Sequence, residues 1–395
     1  MRIYTPIILL LASISASAQG RTVTGLGSNP SAIAARCAAR PLSLPSCSQE
    51  IGLQAHVACN AANAQPFGAA FTSDGSRLYT ALLGGLIGSG GCTLVRIDPL
   101  SHQVVATIST GEGPEEIAFI DDGQGRMLYG FVTNSADSSV TVFDASDAVV
   151  TTIPIPFDAG ATYPTAFPFG LCAHPNQSIV YVGTLDGQGI VHAIDVATLA
   201  LDPAHRIELG AQHGIGRMAF AEGRLVLTAT EYFAGYTGST AKVCVVAPDA
   251  PGVIQELALA THSAGFLFPS AQDVAIDCDG LAWVAGFDMG ARVFAVDPFA
   301  PGGPAVVRRI RTNTSQPNGK FQALGLSPDG LLCVADLWSN ELSWINVRRR
   351  QWIGTTHADD YPAFFRAPQE ISFDPSGRLV AIPWAASDNL MLLDI

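Results

Sequence analysis

Three carboxylates and one arginine stand at equivalent places in a series of similar apolar segments. Glu116, Arg217, Asp273 and Glu370 each come at the start of such a segment. If the segments surround one axis, their carboxylates converge and repel one another unless a cation joins them. Calcium and magnesium sites are built from oxygen ligands in this way. We therefore expect Glu116, Asp273 and Glu370 to be ligands for Ca²⁺ or Mg²⁺.

Arg217 allows two interpretations. Its planar guanidinium could clamp an anionic group of a ligand, which makes it a candidate ligand-binding residue. Alternatively, it pairs with Glu116 or Asp273, and the axis is a hydrated channel, since structural ion pairs are common in such settings. Geometry separates the two, because a metal site needs the three carboxylates within about 5 Å of a common point.

Three histidines lie in segments expected to form loops beside the same axis: His213, His262 and His357. A histidine next to a metal-bound water can act as a general base, so all three are candidate catalytic residues. The alternative is that they are ordinary surface histidines.

Aromatic residues are frequent in the same segments. The candidate ligand-binding residues among them are Trp338, Trp384, Tyr232 and Phe287. Apolar walls around a few polar groups suit a small-molecule or glycan pocket. The alternative is that these rings pack the loops against each other.

Six arginines form two short runs on segments predicted as neighbouring outer strands. They are Arg308, Arg309, Arg311, Arg348, Arg349 and Arg350. Such a flank on an acidic protein could dock an anionic partner or polysaccharide. The alternative is that charged edge strands prevent edge-to-edge association.

The segments that position these residues form seven repeats of about 49 residues. Each begins with an apolar strand and a turn rich in Asp and Gly, as in residues 67–75 and 323–330. Seven repeats of four antiparallel strands predict an all-β fold, a seven-bladed β-propeller. The last repeat stops after three strands, and residues 50–57 resemble the missing fourth strand, which would close the ring.

The second repeat resembles a known family of repeats. Residues 131–134 (Phe-Val-Thr-Asn) and 139–144 are similar to the YVTN-type propeller repeat, and residues 114–119 resemble its start. The general pattern extends over residues 50–395, and only the second repeat matches closely. The resemblance implies either a binding scaffold or, in lactonase-like relatives, a metal-dependent enzyme.

The first 18 residues have the pattern of a signal peptide. Arg2 precedes the apolar run 7–12, and residues 16–18 fit the small-x-small cleavage rule. This predicts export to the periplasm or the extracellular space. We expect residues 19–48 to form a short extension tied by disulfides, and residues 49–395 to form the propeller.

All eight cysteines follow the predicted signal peptide, where export favours disulfides. The predicted pairs are Cys37 with Cys47 and Cys59 with Cys92. Cys244 and Cys278 form a weaker candidate pair. Cys172 and Cys333 lie in apolar strand patterns and are predicted to be buried thiols.

Composition limits the classes of partner. The formal net charge of −13 argues against a nucleic-acid binder, which needs a basic field. After residue 18 the sequence has no uninterrupted apolar run long enough to span a membrane. A P-loop, a Gly-x-Ser-x-Gly motif and a His-Glu-x-x-His motif are also absent from the sequence. We expect a monomer.

Two functions follow from these patterns. The first is a secreted propeller that binds a small molecule, glycan or protein on its loop face around the central channel, without catalysis. The alternative is a metal-dependent lactonase-, hydrolase- or lyase-like enzyme with a divalent cation at the channel mouth. The sequence leaves open whether the protein is an enzyme.

Overall fold

The strands of the chain form seven antiparallel sheets. The computed structural model describes residues 47–53, 63–84, 91–157, 165–176, 178–262, 268–312, 314–315, 318–357 and 367–395. Six sheets are consecutive meanders, and the seventh combines the two ends of the described chain. The protein is therefore a seven-bladed β-propeller, as the repeats predicted.

Blades 1 to 3 follow one another along the chain after the N-terminal strand. The strands are β1 (Cys47–Gly52), then β2 (Pro66–Phe71), β3 (Leu78–Leu82), β4 (Thr93–Asp98) and β5 (Gln103–Ser109) in blade 1, β6 (Pro114–Asp121), β7 (Met127–Asn134), β8 (Ser139–Asp144) and β9 (Val149–Pro154) in blade 2, and β10 (Pro168–Ala173), β11 (Ile179–Thr184), β12 (Ile190–Asp195), β13 (Ala200–Leu201) and β14 (Ile207–Glu208) in blade 3.

Blades 4 to 7 continue the same order. Their strands are β15 (His213–Ala221), β16 (Arg224–Tyr232), β17 (Ser239–Ala247) and β18 (Ala250–His262) in blade 4, β19 (Ser270–Ile276), β20 (Ala282–Phe287), β21 (Arg292–Asp297) and β22 (Ala305–Arg311) in blade 5, β23 (Phe321–Leu326), β24 (Leu331–Asp336), β25 (Glu341–Asn346) and β26 (Gln351–His357) in blade 6, and β27 (Ser372–Phe373), β28 (Leu379–Trp384) and β29 (Asn389–Asp394) in blade 7. Short 3₁₀ turns lie at Pro203–His205, Ala234–Tyr236 and Ala385–Ser387.

Tight turns joining first and second strands explain the repeated Asp and Gly. In blade 7, Asp374 Oδ1 accepts the backbone N–H groups of Arg378 and Leu379, each at 2.8 Å. Gly377 in the same turn has φ of 71°, a conformation that costs little only for glycine. The signal is local, which is why the sequence predicted these turns.

The ring closes through its N-terminal strand. β1 pairs antiparallel with β29, from Cys47 opposite Asp394 to Gly52 opposite Asn389. This confirms the predicted closure, although the strand begins at Cys47 rather than Glu50. Pairing with β1 covers the edge of β29 and makes blade 7 four-stranded.

The hydrophobic core lies between blades. A buried apolar cluster joins each pair of neighbours around the ring, including the pair formed by blades 7 and 1. There Ile51 and Leu53 pack in one cluster with Phe71 of blade 1 and Leu390 of blade 7. Each fully buried aliphatic side chain contributes about 1.5–3 kcal/mol. The closing strand therefore supplies core as well as hydrogen bonds.

The cysteines divide into two groups. Cys172, Cys244 and Cys333 are buried thiols, which confirms the prediction for Cys172 and Cys333. The pair of Cys244 with Cys278 is wrong, because Cys244 lies in the core between blades 3 and 4. Cys92 and Cys278 each take part in a disulfide bond. Cys37 and Cys59 lie outside the described residues, so the pairs Cys37–Cys47 and Cys59–Cys92 remain predictions.

Two other expectations concern the chain outside the propeller. The predicted signal peptide and most of the extension fall outside the described residues. Among the described residues, none of the helices has the length and apolar character needed to cross a membrane.

Candidate functional site

The first strand of a blade lines the propeller axis and carries a local irregularity there. In six blades its pairing with the second strand shifts register at the same level, for example between Ile215 and Met218 and between Ala271 and Asp273. Such a bulge re-aims side chains. Glu116, Arg217 and Asp273 lie at these shifts. They are inside the strands, whereas the sequence pattern predicted them just before the strands.

The four predicted charged residues meet at the axis. Arg217 Nη1 lies 2.9 Å from Asp273 Oδ2, Nε lies 3.5 Å from Glu116 Oε2, and Nη2 lies 3.9 Å from Glu370 Oε2. The Arg217 side chain is fully buried. Three carboxylates from blades 2, 5 and 7 therefore surround one guanidinium from blade 4.

Other groups fix this arrangement, which we call the axial cluster: Glu115, Glu116, Arg217, Asp273 and Glu370. Asp273 accepts the backbone N–H of Val274 and that of Leu324, both at 2.7 Å. The guanidinium also lies 5.9 Å from the centroid of the Phe169 ring. Backbone donors from blades 5 and 6 thus hold the carboxylate that Arg217 approaches most closely.

The axial cluster has more carboxyl groups than cations. Burial raises the pKa of Glu115 to about 8, although Ser135 donates a hydrogen bond of 2.6 Å to its Oε1. Burial also raises the pKa of Glu116 well above its usual value, and repulsion from the neighbouring carboxylates adds to this against the attraction of Arg217. At neutral pH the Glu115 carboxyl group therefore carries a proton.

This geometry bears on the metal hypothesis. The space between Glu116, Asp273 and Glu370 holds the Arg217 guanidinium, where a metal ion would have to lie. In the described ranges, no group of three or more His, Cys, Asp or Glu side chains is arranged to hold a metal ion. The arrangement follows the structural ion-pair alternative, so the metal hypothesis loses its support from convergence.

The other half of the axis is apolar. Phe67 of blade 1 and Phe169 of blade 3 meet edge to face, with ring centroids 6.5 Å apart. They belong to a buried cluster with Leu83, Phe167, Leu185 and Tyr232. Close backbone packing accompanies it, since a methyl group on Gly68 would lie 1.9 Å from the carbonyl oxygen of Glu115. The axis is thus filled by protein on both sides.

A second group of polar and aromatic side chains lies on the loop face of blades 5 and 6. We call it the rim cluster: Asp288, Lys320, Asp336, Trp338, Glu341 and His357. Lys320 Nζ donates a hydrogen bond of 2.7 Å to Asp288 Oδ2 and lies 4.7 Å from the Trp338 ring centroid. Trp338 is 58% exposed, and its backbone N–H is held by Asp336 Oδ1 at 3.0 Å.

His357 has an ion-pair partner suited to orient it. Its Nδ1 lies 3.1 Å from Glu341 Oε1, and its side chain is 54% exposed whereas that of Glu341 is 2% exposed. Burial alone would raise the pKa of Glu341, but hydrogen bonds from Ser339, Thr314 and Ser315 outweigh it and hold the pKa below its usual value. An ionised carboxylate that fixes Nδ1 leaves Nε2 to exchange protons.

The remaining predicted residues lie elsewhere. His213 is buried and donates from Nδ1 to the carbonyl oxygens of Gly210 or Ala211, and His262 ends β18 at another blade. Trp384, Tyr232 and Phe287 are buried, as the packing alternative held. Of the predicted aromatic ligand residues, Trp338 alone is exposed.

Sequence reasoning missed Asp288, Lys320, Asp336 and Glu341 as site residues. Two signals were available. Residues 335–338 depart from the Val-Thr-Asn step of the second repeat, and Lys320 is one of only two lysines in the chain.

The comparisons with known proteins concern the fold. No family model and no curated protein matches this chain. Among solved structures, hydrazine synthase of Kuenenia stuttgartiensis is 15% identical with a TM-score of 0.66 and covers 85% of this chain and 97% of its own. Virginiamycin B lyase of Staphylococcus aureus is 12% identical with a TM-score of 0.64, covering 88% and 99%.

A third neighbour is the β-propeller domain of Cps50 (Swd1) from Myceliophteria thermophila. It is 11% identical with a TM-score of 0.61 and covers 88% of this chain and 100% of its own. These identities establish a shared architecture and no more. The neighbours include a lyase by name and a propeller domain, so the fold is compatible with catalysis and with binding alone.

Proposed function

We propose that this protein is an exported seven-bladed propeller that binds a ligand on its loop face, at the rim cluster, without catalysis. The observation that carries the proposal is Trp338, a large aromatic side chain 58% exposed on the rim. Asp336 fixes its backbone, and Lys320 lies under its ring. Exposed, well-anchored tryptophans are typical of binding hot spots.

The rim is a better binding place than the axis. Arg217 is fully buried and already faces three carboxylates, and the apolar half of the axis is closed by packed rings. The rim instead offers an exposed aromatic ring, Trp338, and an imidazole, His357, that is more than half exposed. Apolar surface with a few fixed polar groups suits a small molecule, a glycan or a protein side chain.

Intrinsic fluorescence tests this proposal. Trp283, Trp344 and Trp384 are fully buried and Trp352 is half-buried, so quenching by soluble oligosaccharides and aromatic carboxylates reports mainly on Trp338. The wild type should bind a member of such a panel with saturable quenching, and Trp338→Ala should abolish the response. Leu100→Ala, which removes a residue 93% exposed on blade 1, is the matched control and should leave binding unchanged.

The opposite result is equally clear. If a ligand binds equally well to the wild type and to Trp338→Ala, the site lies elsewhere and the rim proposal fails. A glycan array and a protein pull-down with the same pair of variants extend the test to larger ligands.

A second candidate is a hydrolase- or lyase-type enzyme in which His357 moves the proton. The specific observation is the buried Glu341 at 3.1 Å from its Nδ1, an arrangement that orients a general base. One fold neighbour is named a lyase, which fits this candidate without establishing it. Lactones and esters, each tried with and without added Ca²⁺ or Mg²⁺, are the substrates to screen.

Variants separate the two candidates. Under the enzymatic candidate, His357→Gln abolishes turnover, Glu341→Gln lowers it by about 10²–10⁴-fold, and His262→Gln serves as the matched control. Turnover that survives His357→Gln contradicts the role of this histidine. Binding that survives His357→Gln with no turnover in the wild type supports the first candidate.

A further inference from the structure

The outer strand of blade 5 and the turn that leads into the outer strand of blade 6 carry a concentration of positive charge. We call it the arginine flank: Arg308, Arg309, Arg311, Arg348, Arg349 and Arg350. Arg348 and Arg350 are half-buried and the other four are exposed. Exposed Arg292 on β21 lies directly opposite Arg311 in the sheet and adds a seventh arginine to this concentration of charge. The two outer strands β22 and β26 contact each other, so the two runs of arginines lie on adjacent blades.

These guanidinium groups are not committed to carboxylates of the protein. Within the described residues, none of the seven has an acidic oxygen within 4.0 Å, and the strands β22 and β26 contain no acidic residue. Seven of the chain's 21 Lys and Arg residues would otherwise be expected to find partners among 34 acidic residues. The positive electrostatic potential of this surface is therefore not neutralised by neighbouring carboxylates.

Protection of the sheet edge does not account for the flank. The outer strands β5 and β9 of blades 1 and 2 contain no charged residue at all. They expose valines such as Val105 and Val149 instead. Since this molecule tolerates uncharged outer edges on two blades, the charges on blades 5 and 6 need another explanation.

We propose that the arginine flank binds a linear anionic polysaccharide that carries carboxylate or sulfate groups. All seven cations are arginines, whose planar fork matches these oxyanions in a bidentate manner that lysine cannot reproduce. Val307, 41% exposed between them, offers apolar contact to a sugar ring. The seven residues of β22 extend over about 23 Å, and the last four of them include Arg308, Arg309 and Arg311.

The acidity of the whole protein favours a thin polymer over a wide anionic surface. Removing the seven arginines from the count leaves 14 Lys and Arg against 34 acidic residues, a charge of −20. A DNA duplex or an anionic membrane would bring its field against much of that acidic remainder. A single flexible chain can follow the flank and keep away from the rest.

The test measures binding of the full mature protein to immobilised polygalacturonate and dextran sulfate, with neutral dextran as blank. The variant Arg308→Gln/Arg309→Gln/Arg311→Gln should bind at least about tenfold more weakly, and binding should fall steeply with salt. The matched control Arg206→Gln/Arg224→Gln/Arg378→Gln changes net charge equally at exposed arginines elsewhere and should change affinity less than about twofold.

Two further variants sharpen the result. Replacement of the same three arginines by lysine keeps the charge and should give an intermediate loss, because the bidentate geometry is removed. Arg348→Gln/Arg349→Gln/Arg350→Gln tests the other half of the flank if the first triple variant does not fold, which a thermal melt reports.

Three outcomes would overturn the proposal. The first is no binding of the wild type to either polymer at about 50 mM salt. The second is an equal loss in the control variant. The third is flank-dependent binding of a DNA duplex or of phosphatidylserine vesicles with neither polysaccharide bound, which would assign the flank to that partner instead.

Discussion

The axial cluster and the rim cluster use the same kinds of side chain for different ends. Each places carboxylates around one cation, Arg217 at the axis and Lys320 at the rim. At the axis every group is at most 4% exposed and the guanidinium faces three blades. At the rim the cation is covered by an indole that is itself 58% exposed, and an imidazole reaches solvent.

The difference follows from where each cluster lies in the repeat. Axial residues come from equivalent positions of the first strands, so seven repeats force them together whether or not a ligand is bound. Rim residues come from loops that differ between blades. Convergence by symmetry therefore accounts for the axial cluster, whereas the rim residues, which depart from the repeat, are the ones to which the proposed function assigns recognition.

Arg217→Met should have the largest effect on stability. The substitution leaves buried carboxylates without their cation, which costs about 3–5 kcal/mol when a buried pair is broken. The loss should be larger at pH 8 than at pH 5, because protonation relieves the remaining carboxyl groups. Urea unfolding of the variant measures it, with exposed Arg378→Met as control.

A loss below about 1 kcal/mol would show that the axial cluster is not a structural centre. The access of Arg217 to ligands would then have to be considered again.

The pH dependence of stability tests the same cluster more finely. The pKa of Glu115 is about 8 in the folded protein against 4.5 ordinarily. Between these values the folded state holds a proton that the unfolded state has lost, so stability falls as pH rises, by about 1.4 kcal/mol per pH unit. Above pH 8 this contribution no longer changes.

Glu115→Gln should therefore flatten the stability curve between pH 5 and pH 8 and stabilise the protein at the upper end. Glu222→Gln, at an exposed position, should leave the slope unchanged. A slope identical in the wild type and Glu115→Gln would mean that Glu115 is ionised throughout the range.

The fold and the axis could be read from the sequence because their signals are local and repeated. The closed ring was predicted from the Asp-rich turns, the apolar strands and the missing last strand. The convergence of Glu116, Arg217, Asp273 and Glu370 was predicted from their equivalent positions in the repeats. That Arg217 fills the space between the others depends on the length of one side chain across the axis. Spacing along the chain does not contain that information.

The rim cluster was harder to predict. Asp288, Lys320 and Glu341 belong to three different loop or strand-end positions, and loops without a common register cannot be aligned between blades. Trp384 shows the opposite error, because it was predicted to bind a ligand and is buried. It ends β28 as Phe287 ends β20, and whether such a terminal residue points to core or solvent is decided by packing that only the folded chain shows.

Lys320→Met should destabilise the protein by about 1–2 kcal/mol, less than the axial substitution. Asp288, with a side chain 2% exposed, would lose its ionic partner but keep the hydrogen bond of 3.1 Å from the Phe268 N–H. A double-mutant cycle with Asp288→Asn isolates the pair. Coupling close to zero would mean that the lysine contributes only through its contacts with the rings.

Trp338→Ala should change the free energy of unfolding least, within about 0.5 kcal/mol, because the indole is mostly in solvent. The same substitution should remove most of the tryptophan fluorescence that acrylamide quenches, since Trp283, Trp344 and Trp384 are fully buried. Trp352→Phe, at a half-buried position, is the control for the acrylamide measurement. A large loss of stability would place Trp338 among the packing residues, like Trp384. Little loss of stability together with loss of ligand binding would instead separate the rim, as a recognition surface, from the axis that supports it.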